Sequence, residues 1–146
     1  MTTTSQTDPG ARLLSAVSRL NRWATRHADL RIPPAQARLL SLIDSVGPAR
    51  IGVLAEADHC SQPTMTTQVQ RIEANGWARR TADPSDRRAS VIELTDAGRA
   101  ELDAVREARH RAVADVFATL SPEQVAAVDQ ATTVIEKFVA RSESTK

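Results

Sequence analysis

SQPTMTTQVQRIEANGWARRTADPSDRRASVIELTDAG, residues 61–98, is the stretch that decides the fold of this chain. Its pattern predicts a helix, a strand, a tight charged turn, a second strand and the start of another helix. Ser61 is a suitable N-cap, and Pro63 suits the first turn, where its missing N–H costs little. Gly76 is expected to end the helix. The apolar stripe of this helix recurs at steps of four and three residues: Met65, Val69 and Ile72.

The face of this helix opposite the apolar stripe carries amides and hydroxyls and no charge until Arg71. Its members are Gln62, Thr64, Thr66, Thr67, Gln70 and Arg71. Amides and hydroxyls hydrogen-bond to base edges and phosphates in the major groove of DNA. The plainer interpretation of the same pattern is a helix face that is simply solvated.

A β-hairpin is predicted after the helix. It consists of a strand over residues 77–82, a DPSD turn at 83–86 and a strand over residues 89–94. Arg87 and Arg88 are expected at the hairpin tip, where an arginine can enter the strongly negative potential of a narrow minor groove. Asp86 is expected to hold Arg88 by a charge-assisted hydrogen bond, since it lies two residues earlier. Taken alone, such a charged turn is also typical of a solvated loop.

A helix followed by a basic-tipped hairpin is the order of a winged helix-turn-helix, and the run DPSDRRASVIELTDAG resembles the wing signature of the MarR (multiple antibiotic resistance regulator) family. In that signature an Asp-x-Arg is followed by a strand and by Leu-Thr-x-x-Gly. Five residues match at the expected spacing: Asp86, Arg88, Leu94, Thr95 and Gly98. The segment from Ile32 to about Leu102 follows the family pattern, whereas the flanks match it in helix order and length only.

The resemblance implies a mainly α-helical fold with a small β-hairpin wing, a winged helix-turn-helix between long N- and C-terminal dimerisation helices. Residues 1–9 are polar and aperiodic, and we expect them to form a disordered arm. Residues 10–146 are expected to form a single MarR-type domain. Its winged helix-turn-helix is placed at about 32–98 and its dimerisation helices at 10–30 and 96–142.

The resemblance also implies function: a homodimeric, sequence-specific regulator of transcription, with repression as the expected mode. Its partner is double-stranded DNA, with two recognition helices in successive major grooves about 10 bp apart on a pseudo-palindromic operator. The residues expected to meet bases or phosphates are Ser61, Gln62, Thr64, Thr66, Thr67, Gln68 and Arg71. Arg88, positioned by Asp86, is expected to enter the minor groove, with Arg87 helping at the phosphates.

The rest of the chain is predicted to be helical, apart from a short strand at residues 49–51. Helices are expected at about 10–28, 34–46, 52–60, 96–119 and from 122 onward. The last two are long and amphipathic without an obvious internal partner, which suggests a subunit interface. In the helix at 52–60, the residues that resemble the family's apolar core are Val53, Leu54 and Ala55. Asp58, His59 and Cys60 depart from the family pattern, since Asp58 replaces an apolar residue and His59 a frequent glycine.

The composition and charge of the chain limit the classes of function that it can have. A net charge of +1 over 146 residues gives no global signal for nucleic acid, so DNA binding needs a local patch, and residues 71–88 supply one with five arginines. No apolar run approaches the roughly 18 residues of a membrane span, and no signal peptide pattern is present. One cysteine excludes an intramolecular disulfide. These features favour a cytoplasmic protein.

No catalytic pattern stands out. The sequence has no Gly-rich phosphate loop, no nucleophile elbow and no His/Cys metal spacing, and its three histidines are far apart. The chain is therefore not expected to be an enzyme or to hold a cofactor or metal. By family analogy a small-molecule effector would lie between the dimer helices and the wing domain, where Trp23, His27 and Arg38 are the candidate lining residues. Trp23 is more typical of a core residue than of an effector site.

Two other interpretations stay open at this point. Cys60 is either a buried structural thiol or the site of a redox-sensing regulator, which would need an accessible thiolate. The winged fold is alternatively a helical dimerisation or adaptor module that binds a protein partner. Salt dependence separates the latter from DNA binding, because phosphate contacts weaken steeply as salt rises.

Overall fold

The computed structural model describes residues 8–143, which form six helices and one two-stranded antiparallel sheet. The elements are α1 (Pro9–His27), α2 (Pro34–Val46), α3 (Ile51–Ala57), α4 (Gln62–Ala74), β1 (Ala78–Asp83), β2 (Asp86–Leu94), α5 (Asp96–Phe117) and α6 (Pro122–Glu143). The predicted fold class, mainly helical with a hairpin wing, is confirmed. Of the predicted arm at 1–9, residues 1–7 lie outside the described residues, whereas Asp8 caps α1 and Pro9 begins it.

The core lies where α2, α3 and α4 meet β2 and the start of α5. Its largest fully buried side chains are Leu40, Ile43, Leu54, Met65, Val69, Ile72, Ile92 and Leu102. They include all three residues of the predicted α4 stripe, because steps of three and four place residues on one helix face. Leu54 and Ala55 of α3 are buried as predicted, but Val53 is 47% exposed, so its predicted place in the core is wrong. The short α3 has one buried face, and Leu54 and Ala55 occupy it.

The residues that depart from the family pattern, Asp58, His59 and Cys60, all lie in the turn between α3 and α4. α3 ends at Ala57, three residues earlier than predicted, and His59 adopts a left-handed φ of 53°. A left-handed backbone explains why glycine is frequent at this position, since only glycine adopts it without a steric cost. The carboxylate of Asp58 forms an ion pair with the guanidinium of Arg38 at 3.1 Å, which compensates its charge at a position where the family has an apolar residue. Cys60 packs half-buried against the core.

The wing hairpin contains an irregularity near its tip. Ala82 of β1 faces Ser90 of β2, yet the next residue of β1, Asp83, already faces Asp86. Residues 87–89 therefore have no partner opposite them in β1. A bulge of this kind redirects side chains out of the ladder, and here it contains both arginines predicted for the tip.

The strand predicted at residues 49–51 is reduced to a single bridge. Ala49 donates its N–H to Ile92 O at 3.2 Å and accepts from Ile92 N at 2.8 Å. Ile51 already begins α3. One residue thus attaches the start of α3 to the middle of β2.

The Leu-Thr-x-x-Gly signature joins the end of α4 to the start of α5. Thr95 donates its hydroxyl to Gly76 O at 2.6 Å and accepts from Gly98 N at 3.0 Å, which caps α5. Gly98 packs directly on the backbone of Trp77, since a Cβ built on it would lie 1.9 Å from the Trp77 carbonyl oxygen. The signature is therefore structural: it fixes α4 and the hairpin relative to α5.

The terminal helices leave most of their large apolar residues exposed. These residues are Leu13, Leu14, Val17 and Leu20 of α1, Val116 and Phe117 of α5, and Val125, Val128, Val134, Phe138 and Val139 of α6. α1 packs against α5, whereas α6 makes at most marginal contact with the other described elements. No helix within residues 8–143 combines the length and the hydropathy needed to cross a membrane.

Candidate nucleic-acid interface

The first two turns of α4 are ordered by their own hydroxyls. Ser61 caps the helix as predicted: its Oγ accepts from Thr64 N at 3.2 Å and lies 2.8 Å from Thr64 Oγ1. Thr67 donates its hydroxyl to Pro63 O at 3.1 Å. Because that proton is used within the helix, the Thr67 oxygen is left as an acceptor, which suits the amino group of a base better than a phosphate.

The residues of α4 and its cap that are predicted to contact DNA differ in their exposure to solvent. Ser61, Gln62, Thr64, Thr67 and Arg71 are exposed, whereas Thr66 and Gln68 are half-buried. The half-buried pair therefore lies at the flanks of the face, and Gln68 borders a small cavity beside the first turns of α2. Gln70 is exposed and was missing from the predicted contacts. Its spacing of three from Thr67 is the signal that places it on the same side.

Gln62 lies closer to α3 than the sequence suggested. A Cβ built on Gly52 would lie 3.1 Å from the Gln62 amide nitrogen, so the missing side chain of Gly52 leaves room for this amide. Gln62 is the first residue of α4, and it remains exposed. The amide therefore sits at the junction of the two helices of the helix-turn-helix.

The five arginines of residues 71–88 fall into two groups. Arg79 pairs across the hairpin with Glu93 at 2.7 Å, and Arg80 forms a forked pair with Glu73 of α4, with its shortest distance 3.0 Å. Three arginines are exposed and form no ion pair within residues 8–143: Arg71, Arg87 and Arg88. The uncompensated positive charge of this region therefore lies on α4 and on the wing tip.

Asp86 forms its predicted bond to Arg88, but with a different part of the arginine. Its Oδ1 accepts from the backbone N–H of Arg88 at 3.0 Å, and its Oδ2 lies 3.8 Å from the guanidinium of Arg50. The predicted charge-assisted hydrogen bond is therefore present, and its donor is the backbone N–H of Arg88 and not the guanidinium. An Asp that bonds to the N–H two residues on forms an Asx turn, which is a shorter-range and geometrically easier interaction. The guanidinium of Arg88 forms no ion pair within the described residues 8–143.

Asp83, predicted only as part of the turn, is buried and hydrogen-bonded to the start of α3. As a residue it is 8% exposed, and it is the one charged residue that is buried among the described residues. Its Oδ1 accepts from Ser85 N at 2.8 Å and from Ser85 Oγ at 2.7 Å, and its Oδ2 accepts from Arg50 Nε at 2.6 Å. The bonds from Ser85 and then Arg50 lower the pKa of Asp83 from 3.8 to about 2. The Asp-x-Ser spacing in the turn was the available signal.

Acid is expected to weaken the wing through Asp83. Its pKa is lower in the folded state than in the unfolded chain, so its contribution to stability is present above about pH 4 and is lost as the pH falls towards 2. Asp83→Asn removes this titration. We measure the urea midpoint of unfolding at about pH 4.5 and about pH 2.5, which lie on either side of most of this titration. We expect the midpoint to fall more for the wild type than for Asp83→Asn. The control Asp129→Asn on α6 should follow the wild type; equal falls in all three proteins would contradict the assignment.

The residues predicted to line an effector site are only partly brought together. Trp23 and His27 stack on successive turns of α1, with ring centroids 4.4 Å apart. Arg38 is engaged elsewhere, in its ion pair with Asp58. A cavity of 230 Å³ lies between residues 29–31 and α5, and none of the three borders it. The effector stays a prediction.

Cys60 does not have the features of a redox-sensing thiol. Burial and the neighbouring carboxylate of Asp58 raise the pKa of the Cys60 thiol. A raised pKa lowers the fraction of thiolate, the reactive form.

Within residues 8–143, no three His, Cys, Asp or Glu side chains are grouped so as to hold a metal ion.

Comparison with known proteins agrees with this arrangement. Residues 32–90 match the sequence profile of the MarR family, the segment that holds α2, α3, α4 and the wing arginines. The winged helix-turn-helix segment of the chain is of the MarR type. The profile ends just after the bulge of the wing, so the terminal helices of this chain are matched by structure and not by the profile.

Two relatives and one solved structure illustrate what the chain is similar to. It is 26% identical over 109 residues to the uncharacterized HTH-type transcriptional regulator YfiV of Bacillus subtilis, covering 75% of this chain and 67% of the relative. It is 32% identical over 77 residues to the HTH-type transcriptional repressor NicR of Pseudomonas putida, covering 53% and 49%. The crystal structure of transcriptional regulator Tm0710 from Thermotoga maritima superposes with a TM-score of 0.72 at 28% identity, covering 94% and 99%. The chain thus spans between half and two thirds of these curated relatives and nearly all of the solved structure.

Proposed function

We propose that this protein is a homodimeric, sequence-specific DNA-binding regulator that represses transcription. The observation that carries the proposal is the distribution of free charge. Of the five arginines at residues 71–88, Arg79 and Arg80 are neutralised within the fold. The other three lie on α4 and the wing tip and form no ion pair within residues 8–143. Since its target is DNA, we place the protein in the cytoplasm.

In the proposed complex α4 enters the major groove. Its exposed face presents Thr64, Thr67 and Gln70 to base edges, and Arg71 at the last turn reaches a phosphate or a guanine. Gln62 and the cap residue Ser61 lie at the helix N-terminus, where free N–H groups and the helix dipole favour a phosphate. Arg80–Glu73 holds β1 against α4, which fixes the angle between helix and wing.

The wing is proposed to follow the backbone into the flanking minor groove. The bulge at residues 87–89 separates Arg87 and Arg88 from the ladder, and the Asp86 bond fixes the backbone of Arg88. A free guanidinium on an ordered backbone loses less entropy on binding than one on a mobile loop. Arg88 is assigned to the groove and Arg87 to a phosphate.

A homodimer is supported by the unpartnered helices. Phe138 of α6 and Leu14 of α1 are 78% and 70% exposed, and such contiguous apolar faces mark interaction surfaces. The charges of the two helices are complementary: α1 carries four arginines and no carboxylate, and α6 carries four carboxylates and two cations. On α5, Arg109 Nε is shielded from solvent without a hydrogen-bond acceptor in residues 8–143. A second copy covers these faces in the proposed dimer.

The relative NicR, a named repressor, supports repression as the mode of regulation.

The dimer interface is tested by placing one charge on either face of α6. Val128→Glu puts a carboxylate on the apolar face, whereas Gln130→Glu puts it on the opposite face by helical period. We expect Val128→Glu to raise the dissociation constant of the dimer at least about tenfold, because an unpaired charge would be buried. Gln130→Glu should leave it unchanged. Sedimentation velocity measures both; equal effects would exclude this face from the interface.

DNA binding is tested by fluorescence anisotropy with a duplex that the protein itself enriches from a random pool. The affinity is compared with that for a scrambled duplex at about 50 and about 200 mM salt. The proposal predicts preferential binding that weakens steeply with salt. Equal affinity for both duplexes would contradict sequence-specific regulation. No enrichment and no binding would favour the adaptor that binds a protein partner.

A further inference from the structure

Arg50 connects the helix-turn-helix to the wing tip. It is the N-cap residue of α3, and its Nε donates to Asp83 Oδ2 at 2.6 Å. Its Nη2 lies 3.8 Å from Asp86 Oδ2. One guanidinium therefore contacts both carboxylates of the DPSD turn, although 33 residues separate Arg50 from Asp83.

The backbone places Arg50 where it can reach the turn. The preceding residue, Ala49, pairs antiparallel with Ile92 of β2. In an antiparallel pair the chain after Ala49 runs back along β2 towards the hairpin tip. The Arg50 side chain continues in that direction and meets Asp83 where β1 ends.

The contacts continue from the turn to the arginine assigned to the minor groove. Asp86, the second carboxylate near Arg50, accepts from the backbone N–H of Arg88 at 3.0 Å. Asp83 faces Asp86 across the tip, directly beside the bulge. Asp83 is held from the other side by Ser85. Asp86 thus connects the backbone of Arg88 to Arg50 at the start of α3, and Asp83 holds the facing strand of the tip to the same guanidinium.

We propose that Arg50 is a positioning residue for DNA recognition: acting through Asp83 and Asp86, it holds the wing tip so that Arg88 meets the minor groove. This inference rests on the proposed function. Because Arg50 lies on the helix-turn-helix, the bond sets the wing in relation to α3 and α4. It also offsets two carboxylates that would otherwise repel the DNA backbone.

Asp83→Asn distinguishes positioning from simple electrostatics, because the two effects have opposite signs. Removing a carboxylate beside DNA should strengthen binding if only charge matters. If Asp83 anchors the wing through Arg50, the same change should weaken binding of the enriched duplex about fivefold, as expected for coupled neighbours. Asp44→Asn is the matched control, since it breaks a 2.7 Å bond to Arg106 between α2 and α5, away from the wing. It should leave the affinity unchanged.

A double-mutant cycle tests whether Arg50 acts through Arg88. Arg50→Gln alone should weaken binding about fivefold, and in an Arg88→Ala background it should change binding less than about twofold. Equal losses in both backgrounds would show that Arg50 contacts DNA directly and would overturn the inference. So would tighter binding by Asp83→Asn.

Failure of the proposed function and failure of the role of Arg50 give different results. If Arg88→Ala alone leaves the affinity unchanged, the proposed role of the wing fails; if Arg88→Ala weakens binding and the cycle is additive, only the role of Arg50 fails. Each variant is assayed well below its melting temperature. Arg50→Gln serves as the second variant if Asp83→Asn does not fold, and an unchanged affinity of Arg50→Gln would also overturn the inference.

Discussion

Replacing Gly98 by alanine is expected to lower the free energy of unfolding by about 2–4 kcal/mol, the range of severe overpacking. The added Cβ would lie 1.9 Å from the carbonyl oxygen and 2.8 Å from the carbonyl carbon of Trp77. These are backbone atoms and cannot rotate away. α5 would have to move off the junction that Thr95 makes with Gly76. Urea denaturation followed by circular dichroism measures the loss.

Gly52→Ala is the matched control for this prediction. It makes the same chemical change inside a helix, but its Cβ would meet only the flexible end of Gln62, at 3.1 Å. Alanine has the higher helix propensity, by about 1 kcal/mol, so Gly52→Ala should be neutral or slightly stabilising. A Gly98→Ala protein as stable as Gly52→Ala would show that α5 does not pack on Trp77 as described.

Arg88→Ala is expected to weaken binding of the enriched duplex about tenfold and to reduce the magnitude of the salt slope by about one unit. The guanidinium of Arg88 is exposed and free of ion pairs within residues 8–143, so little stability should be lost with it. The negative potential of a narrow minor groove is the physical source of the lost affinity. Anisotropy titrations at several salt concentrations give both quantities.

Arg31→Ala controls for the loss of one positive charge. Arg31 is exposed in the connection between α1 and α2, outside α4 and the wing. We expect its affinity and slope to stay close to those of the wild type. If Arg31→Ala and Arg88→Ala lowered the affinity equally, the effect would be one of net charge and the wing would have no specific role.

The recognition helix was predictable because local rules determine it. The cap at Ser61, the stripe of Met65, Val69 and Ile72 and the left-handed Gly76 depend on neighbours within a few residues, and the structure has all of them. The family signature extended this to the wing, although the sequence did not explain why Gly98 is needed. Its reason is a contact with Trp77, which is 21 positions earlier and is visible only in three dimensions.

The details of the wing were not predictable for the same reason. The bond between Arg50 and Asp83 joins residues 33 apart, and no pattern in the sequence relates them. The bulge at residues 87–89 depends on the register of two strands, which the turn sequence alone does not determine. Val53 was misplaced because a seven-residue helix gives too few residues to define its buried face. The pairing of Arg79 and Arg80 likewise required the fold, and it is what separates structural from free arginines.

Hydroxyl-radical footprinting of the protein on its enriched duplex tests the central claim most directly. The proposed complex predicts a two-fold symmetric pattern, with two protected regions whose centres lie about one helical turn, roughly 10 bp, apart. It also predicts flanking minor-groove protection that disappears with Arg88→Ala, while the central protection remains. A single asymmetric protected region, or flanking protection that Arg88→Ala leaves intact, would contradict a dimer that reads DNA with α4 and the wing.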